Sequence, residues 1–155
     1  MHQFTTFYLG DSLFGIDVLL VREINKNLDI TVVDPSPDFV MGLMNLRGQI
    51  VAVTDLGIRL GLEKRTITPS TCCIVLKTTP ELERIIDEGL ISETTSNDFV
   101  GLIVDRISDM ITVDEKEIEP PPANMGGVDG KYLGGVVKLN KALMATLKVS
   151  EILAM

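Results

Sequence analysis

Apolar and polar residues alternate at period two along most of the chain, in runs bounded by turn-forming residues. The pattern predicts a strand over Phe4–Leu9, a turn at Gly10-Asp11 and a partner strand over Leu13–Val18, with the run continuing to about Ile24. After "NKNLD" the pattern resumes over Ile30–Val33, and "DPSPD" closes it. Gly42–Leu46 and Gln49–Thr54 read as a hairpin turning at Arg47-Gly48. Further strands are expected at Cys72–Lys77, Phe99–Val104, about Ile107–Val113, Tyr132–Leu139 and Ala142–Leu147.

Three short helices break the sequence of strands. Asp55 is placed to cap one through "LGIRL", with Gly61 ending it. In "TPELERIIDEG", Thr79 is the expected N-cap and Pro80 the first helical residue; Leu82, Ile85 and Ile86 share a face, and Gly89 marks the stop. "LISETTSND" follows as an exposed loop, and "SEILAM" closes the chain as a helix capped by Ser150. The expected fold is all-β with a few short helices, in closed barrels rather than one open sheet.

An internal repeat organises this pattern. "FGIDVLLVREI" (14–24) aligns without gaps on "VGLIVDRISDM" (100–110), so that Gly15 meets Gly101, Val18 meets Val104 and Val21 meets Ile107. Pro35 falls opposite Pro121 at the same offset. "GLMNLRGQIVAVTDL" (42–56) aligns on "GVVKLNKALMATLKV" (135–149), pairing Gly42 with Gly135, Ile50 with Leu143 and Ala52 with Ala145. Two similar small barrels follow from this agreement. Arg47-Gly48 stands opposite Asn140-Lys141, and both pairs can turn a chain, so the turn itself does not require an arginine.

Composition narrows the function. The chain has 155 residues, enough for one domain, and 45% of them are hydrophobic. Aromatic residues make up only 5%, so the core must be built from Ile, Val, Leu and Met. With 22 acidic against 14 basic residues and no basic stripe, a small-barrel nucleic-acid binder is disfavoured, as is attraction to an anionic membrane. No apolar run reaches the ~20 residues that span a bilayer, and the N-terminus has no secretory leader, so a cytoplasmic protein is expected.

Chemistry-bearing constellations are missing. The only histidine is His2, in a terminus expected to fray, so no Ser/His or Cys/His pairing can be assembled. Cys72 and Cys73 are adjacent in a strand and point to opposite faces, unsuited to chelating one metal or bridging each other; they read as two small core residues rather than a redox pair. "MGGVDGKYLGG" fails as a phosphate loop because Met125 stands where the first Gly belongs and Tyr132 where Ser or Thr should follow Lys131. No catalysis, cofactor or metal is expected.

Read together, "FYLGDSLFGIDVLLVREI", "PSPDFVMGLMNLRGQIVAVTDLGIRLGL", "FVGLIVDRISDMITV" and "YLGGVVKLNKALMATLKVSEIL" resemble the chemotaxis coupling family CheW over nearly the whole chain. The resemblance implies a single CheW-like domain over 1–155, made of two interleaved SH3-like five-stranded barrels. The first would lie mainly within 14–68 and the second mainly within 99–149. It implies a non-catalytic adaptor between the cytoplasmic tip of chemoreceptors and a CheA-type histidine kinase, in arrays beneath the inner membrane. The output, flagellar, pilus-based or other, stays open.

Carried over residue by residue, the resemblance places Val21, Glu23, Asn45 and Arg47 on the receptor surface. It places the kinase contact around Val100, Gly101 and Leu102 and at the turn Asn140-Lys141. Two structural alternatives stand beside it: Val21 as simple core, and Glu23 paired with Arg47 across neighbouring strands. Residues 78–98 depart from the family, replacing a short hairpin connection by a helix and loop; Ala52 replaces a common Pro.

Overall fold

The computed structural model describes residues 1–33 and 36–154, and strands dominate it. Strands β1 (His2–Leu9) and β2 (Ser12–Asp17) form the first hairpin. The run expected to reach Ile24 is broken at Val18–Leu20 by a 3-10 turn, because the Asp17 carboxylate accepts a bond from the Leu19 N–H at 2.9 Å; β3 (Val21–Asn25) then leaves in a new direction. The strand expected over Ile30–Val33 is reduced to one bridge between Thr31 and Leu43, and Pro35 lies outside the described residues. Strands β4 (Val40–Leu46) and β5 (Gln49–Asp55) make the second hairpin. Helix α1 (Leu56–Arg59) follows directly, its Ile58 N–H capped by the buried Asp55 carboxylate at 3.1 Å.

After β6 (Cys72–Leu76) comes α2 (Thr79–Asp87), and its N-cap is Thr78, not Thr79. Glu81 explains the shift: its carboxylate accepts from the Thr78 N–H and hydroxyl at 3.0 and 3.1 Å, a capping box that fixes the start one residue earlier. Strands β7 (Phe99–Val104) and β8 (Arg106–Val113) lead to the short β9 (Ile118–Glu119), β10 (Asn124–Met125) and β11 (Val128–Asp129), then β12 (Leu133–Lys138), β13 (Leu143–Leu147) and α3 (Val149–Leu153). Ser150 lies inside α3 and does not cap it; Lys148 holds the cap position without a side-chain bond. Nor does the N-terminus fray: His2 pairs with Val113 in the sheet, and its Nε2 is 2.8 Å from Glu115.

The strands form one sheet in the order β8-β1-β2-β13-β12-β9, another in the order β3-β6-β7-β5-β4, and the separate β10-β11 pair. The two large sheets repeat one another in register. In the parallel pair β5–β7, Val51, Ala52 and Val53 face Phe99, Val100 and Gly101; in the parallel pair β13–β2, Met144, Ala145 and Thr146 face Leu13, Phe14 and Gly15. These six matches are the ones the two sequence alignments imply. Even the irregularities recur: register shifts fall between Val21 and Glu23 and between Val40 and Gly42 in one sheet, and at the aligned places in the other.

The spans expected for the two barrels need correcting. Both parallel pairings join distant parts of the chain, so β1 and β2 complete the sheet of β8, β12 and β13, while β6 and β7 complete that of β3, β4 and β5.

Alternation across the strands feeds three apolar clusters. Met44, Val51, Val53, Cys73, Val75 and Ile103 fill the interior of the first barrel; Phe4, Leu13, Val113, Val137 and Met144 fill that of the second. The opposite faces of the same strands, with Phe7, Phe14, Ile74, Leu102 and Leu147, meet in a larger shared core. Cys72 and Cys73 follow this rule, one in the shared core and one inside the first barrel, and burial pushes the Cys73 thiol up to about 12.

The segment 78–98 is tied down, not a free decoration. Leu82 is fully buried in the shared core, with Ile85, Ile86 and Ile91 packed against it. Its loop is largely exposed, as expected, but it is anchored at its half-buried residues: the Thr95 hydroxyl donates to the Lys77 carbonyl at 2.5 Å, and the Glu93 carboxylate accepts from the Ser150 N–H and hydroxyl at 3.2 and 3.1 Å. Burial raises the Glu93 carboxyl above its ordinary value, against the lowering effect of the Ser150 bonds. A raised folded-state value makes this group stabilise the fold at low pH, a contribution lost as pH rises through the raised value. Glu93→Gln keeps the acceptor oxygen and removes the titration. Its urea midpoint relative to the parent is therefore expected to differ little at pH ~4 and to gain as pH rises to 7; a difference independent of pH would contradict this.

Candidate functional site

The β4–β5 hairpin closes on the pair Leu46–Gln49, leaving Arg47 and Gly48 as a two-residue loop. Both have positive φ, 51° and 86°, the combination of a type I′ turn. Arg47 is the only non-glycine residue with positive φ among those described. Its backbone is held there by Asn45, whose Oδ1 accepts from the Gly48 N–H at 2.9 Å. Asn45 thus spends its carbonyl oxygen on building the turn.

The strand order puts β3 and β4 at opposite edges of their sheet, yet the Arg47 guanidinium is ion-paired and hydrogen-bonded to the Glu23 carboxylate on β3. The sheet therefore curls until its edges meet, and the pair bridges the mouth of the first barrel. The expected pairing of Glu23 with Arg47 is present. The arginine side chain remains 69% exposed and Glu23 24%, so the pair holds a guanidinium in place at the surface without burying it.

Val21 does not join them. The register shift at Arg22 sets Val21 opposite Leu76, which belongs to the shared core, and Glu23 opposite Val75, which faces the first barrel's interior. Facing residues of neighbouring strands share a side, so Val21 and Glu23 leave the strand on opposite sides. Val21 is half-buried and packs on the shared core.

The residues named for the kinase contact separate into two groups. Val100, Gly101 and Leu102 lie in β7, a central strand of the first sheet; Gly101 and Leu102 are buried, and a Cβ at Gly101 would meet the Cys73 sulfur at 2.3 Å. Gly101 and Leu102 are buried packing positions, not the surface contacts expected, and Val100 is half-buried beside Ala52. Asn140 and Lys141 are exposed, at the turn between β12 and β13, and they rim a cavity of about 680 Å³ with Tyr8, Asp109, Ile111 and Lys138. Asn140 and Asp109 are the aligned counterparts of Arg47 and Glu23. The second barrel thus has an open cleft where the first has an ion pair.

Sequence reasoning missed the neighbours of Glu23. Arg22 lies with its guanidinium 4.6 Å from the Phe99 ring centroid and 3.9 Å from the Glu81 carboxylate of α2. The signal available was the pattern Thr78-x-x-Glu81, a capping box that fixes where Glu81 sits. Among the described residues no group of three or more His, Cys, Asp or Glu side chains is placed to hold a metal, and no helix is long and apolar enough to cross a membrane.

Comparison with known proteins gives one family. The model of the CheW-like domain matches residues 3–155. The chain is 28% identical over 153 residues to the chemotaxis protein CheW of Treponema pallidum, covering 97% of this chain and 81% of that one. It is 28% identical over 152 residues to the chemotaxis protein CheW of Klebsiella aerogenes, covering 98% and 81%. Its fold superposes on the crystal structure of the scaffolding protein TtCheW of Thermoanaerobacter tengcongensis with a TM-score of 0.80 at 28% identity, covering 99% of this chain and 88% of that one.

Proposed function

The chain belongs to the CheW-like domain family of non-catalytic chemotaxis scaffolds, and on that premise we propose that it couples the cytoplasmic tips of chemoreceptors to a CheA-type histidine kinase. The observation that carries this reading is the Glu23–Arg47 pair at the mouth of the first barrel: a guanidinium on a strained two-residue turn, held by a carboxylate and left largely exposed. Such an arrangement does no chemistry. It presents oriented donors to a partner, and strain kept at one surface position is a mark of a functional contact.

In this reading the receptor tip docks on Glu23 and Arg47, with Asn45 setting the turn and Val21 supporting β3 from the core side. The kinase docks on the second barrel at the cleft rimmed by Asn140 and Lys141, some distance in sequence and in a different sheet. Two docking faces on two barrels let one small protein hold both partners at once. Its place is then the cytoplasm, at receptor arrays beneath the inner membrane. The test is capture of each partner separately, with a receptor cytoplasmic fragment and with the regulatory domain of a CheA-type kinase. The proposal expects Lys141→Glu to weaken only the kinase capture. Loss of both captures, or of neither, would overturn the assignment of faces.

A further inference from the structure

The mouth of the first barrel carries a second arginine that the ion pair does not use. Arg22 occupies the position where the β3–β6 register shifts, between Val21 and Glu23. Its guanidinium lies over the Phe99 ring at 4.6 Å. Phe99 opens β7 and faces Val51, two residues beyond the Gln49 that closes the Arg47 hairpin, so ring and hairpin tip lie at the same end of the sheet. On the far side, the Glu81 carboxylate of α2 is 3.9 Å from the Arg22 Nη1, beyond hydrogen-bond distance, so this pairing leaves the guanidinium N–H groups unspent. Glu81 cannot swing closer without cost, since the same carboxylate holds the capping box at Thr78. A planar cation lying over an aromatic ring, with a carboxylate near one edge and only 30% exposed, is a placed donor set that an acceptor on a partner can use.

We infer that the receptor-docking face extends from Glu23 and Arg47 to Arg22, which binds a carboxylate on the receptor tip and is positioned by Phe99 and by Glu81 of the inserted helix. The inference rests on the receptor reading of Glu23 and Arg47. It gives segment 78–98 a role at that face: α2 supplies the carboxylate that steers Arg22 over Phe99.

The test uses the full chain and a receptor cytoplasmic fragment in titration calorimetry, with urea midpoint and affinity for the kinase regulatory domain measured on the same samples. Arg22→Gln is expected to lower receptor affinity about threefold to tenfold with midpoint and kinase affinity unchanged. Arg22→Glu should lose more than Arg22→Gln, because it sets like charges against each other. Glu81→Gln retains the capping acceptor and should lose about twofold through Arg22 alone. If Arg47→Ala weakens receptor binding while Arg22→Gln leaves it within twofold, the inference is wrong and the receptor face stands. If Arg47→Ala also has no effect, the receptor reading falls and takes the inference with it. Equal losses for Arg22→Gln and Arg22→Glu would overturn the carboxylate as the ligand. A fall in midpoint and kinase affinity together with receptor affinity would reduce Arg22 to a structural residue.

Discussion

Replacing Arg47 by alanine is expected to weaken receptor-tip binding at least tenfold, about 1.4 kcal/mol, while the unfolding free energy stays within about 1 kcal/mol of the parent. The asymmetry follows from what the residue touches. Its ion pair to Glu23 is at the surface, and exposed pairs contribute about 0–1 kcal/mol to folding. Its backbone strain at φ 51° is unrelieved by alanine, which tolerates that region no better than arginine, so the turn neither gains nor loses by the exchange. In a desolvated interface the same guanidinium can be worth about 2 kcal/mol or more. Urea denaturation and a receptor-fragment titration measure the two quantities together. A large loss of stability with unchanged binding would make Arg47 a structural residue and end its role as a contact.

Gly101→Val should act in the opposite way, removing about 1–3 kcal/mol of stability without changing Glu23 or Arg47. A Cβ at this position falls 2.3 Å from the Cys73 sulfur and 3.3 Å from a Val51 methyl, inside the first barrel, and close-packed interiors absorb such an addition poorly. Its counterpart Gly15 meets Met144 and Phe4, the aligned equivalents of Val51 and Cys73, at 2.8 and 3.3 Å. Both barrels therefore need a residue without a side chain where their parallel strands pass. Cys73→Ala combined with Gly101→Val should recover part of the loss, because the sulfur is the nearest obstacle. Urea midpoints of the two single variants and the double variant decide this. A Gly101→Val midpoint equal to the parent's would show that the interior is not close-packed at that point.

The repeated glycines show why the architecture was legible in the sequence. Gly15 and Gly101 aligned because the same crowded interior selected them twice, and the alternating Val, Ile and Leu around them aligned because both barrels divide their faces between an inner cluster and a shared core. Strand positions followed from that alternation, and Phe99–Val104 was placed to the residue. Connectivity was less legible. Period-two patterns say that a segment is a strand and not which strand it joins, so the interleaving came only from the resemblance, and the placing of β1–β2 in one sheet and β6–β7 in the other was not legible. The break at Val18–Leu20 was missed because it is made by one side-chain bond from Asp17, within an apolar run that reads as continuous.

The site divided along the same line. Glu23 and Arg47 are brought together because a hairpin tip and an edge strand meet when the sheet closes, a pairing the charges themselves suggested. Val21 turns away because one residue of register shift reverses every side chain beyond it, and a shift leaves no mark in the alternation of so short a strand. The resemblance points to Gly101 and Leu102 only through the region they occupy, with no sharp motif, whereas their burial depends on β7 lying between β5 and β6. The resemblance supplied a role for the region; only packing could say which of its residues reach the surface.

One chain is expected to hold receptor and kinase at the same time through two different barrels. Sedimentation of the protein with a receptor cytoplasmic fragment and a kinase regulatory domain, singly and together, tests it most directly. A ternary complex is expected, formed with receptor affinity unchanged when the kinase domain is saturating, and lost on the receptor side alone with Arg47→Ala. Mutual displacement of the two partners would contradict it, because both would then be competing for a single face.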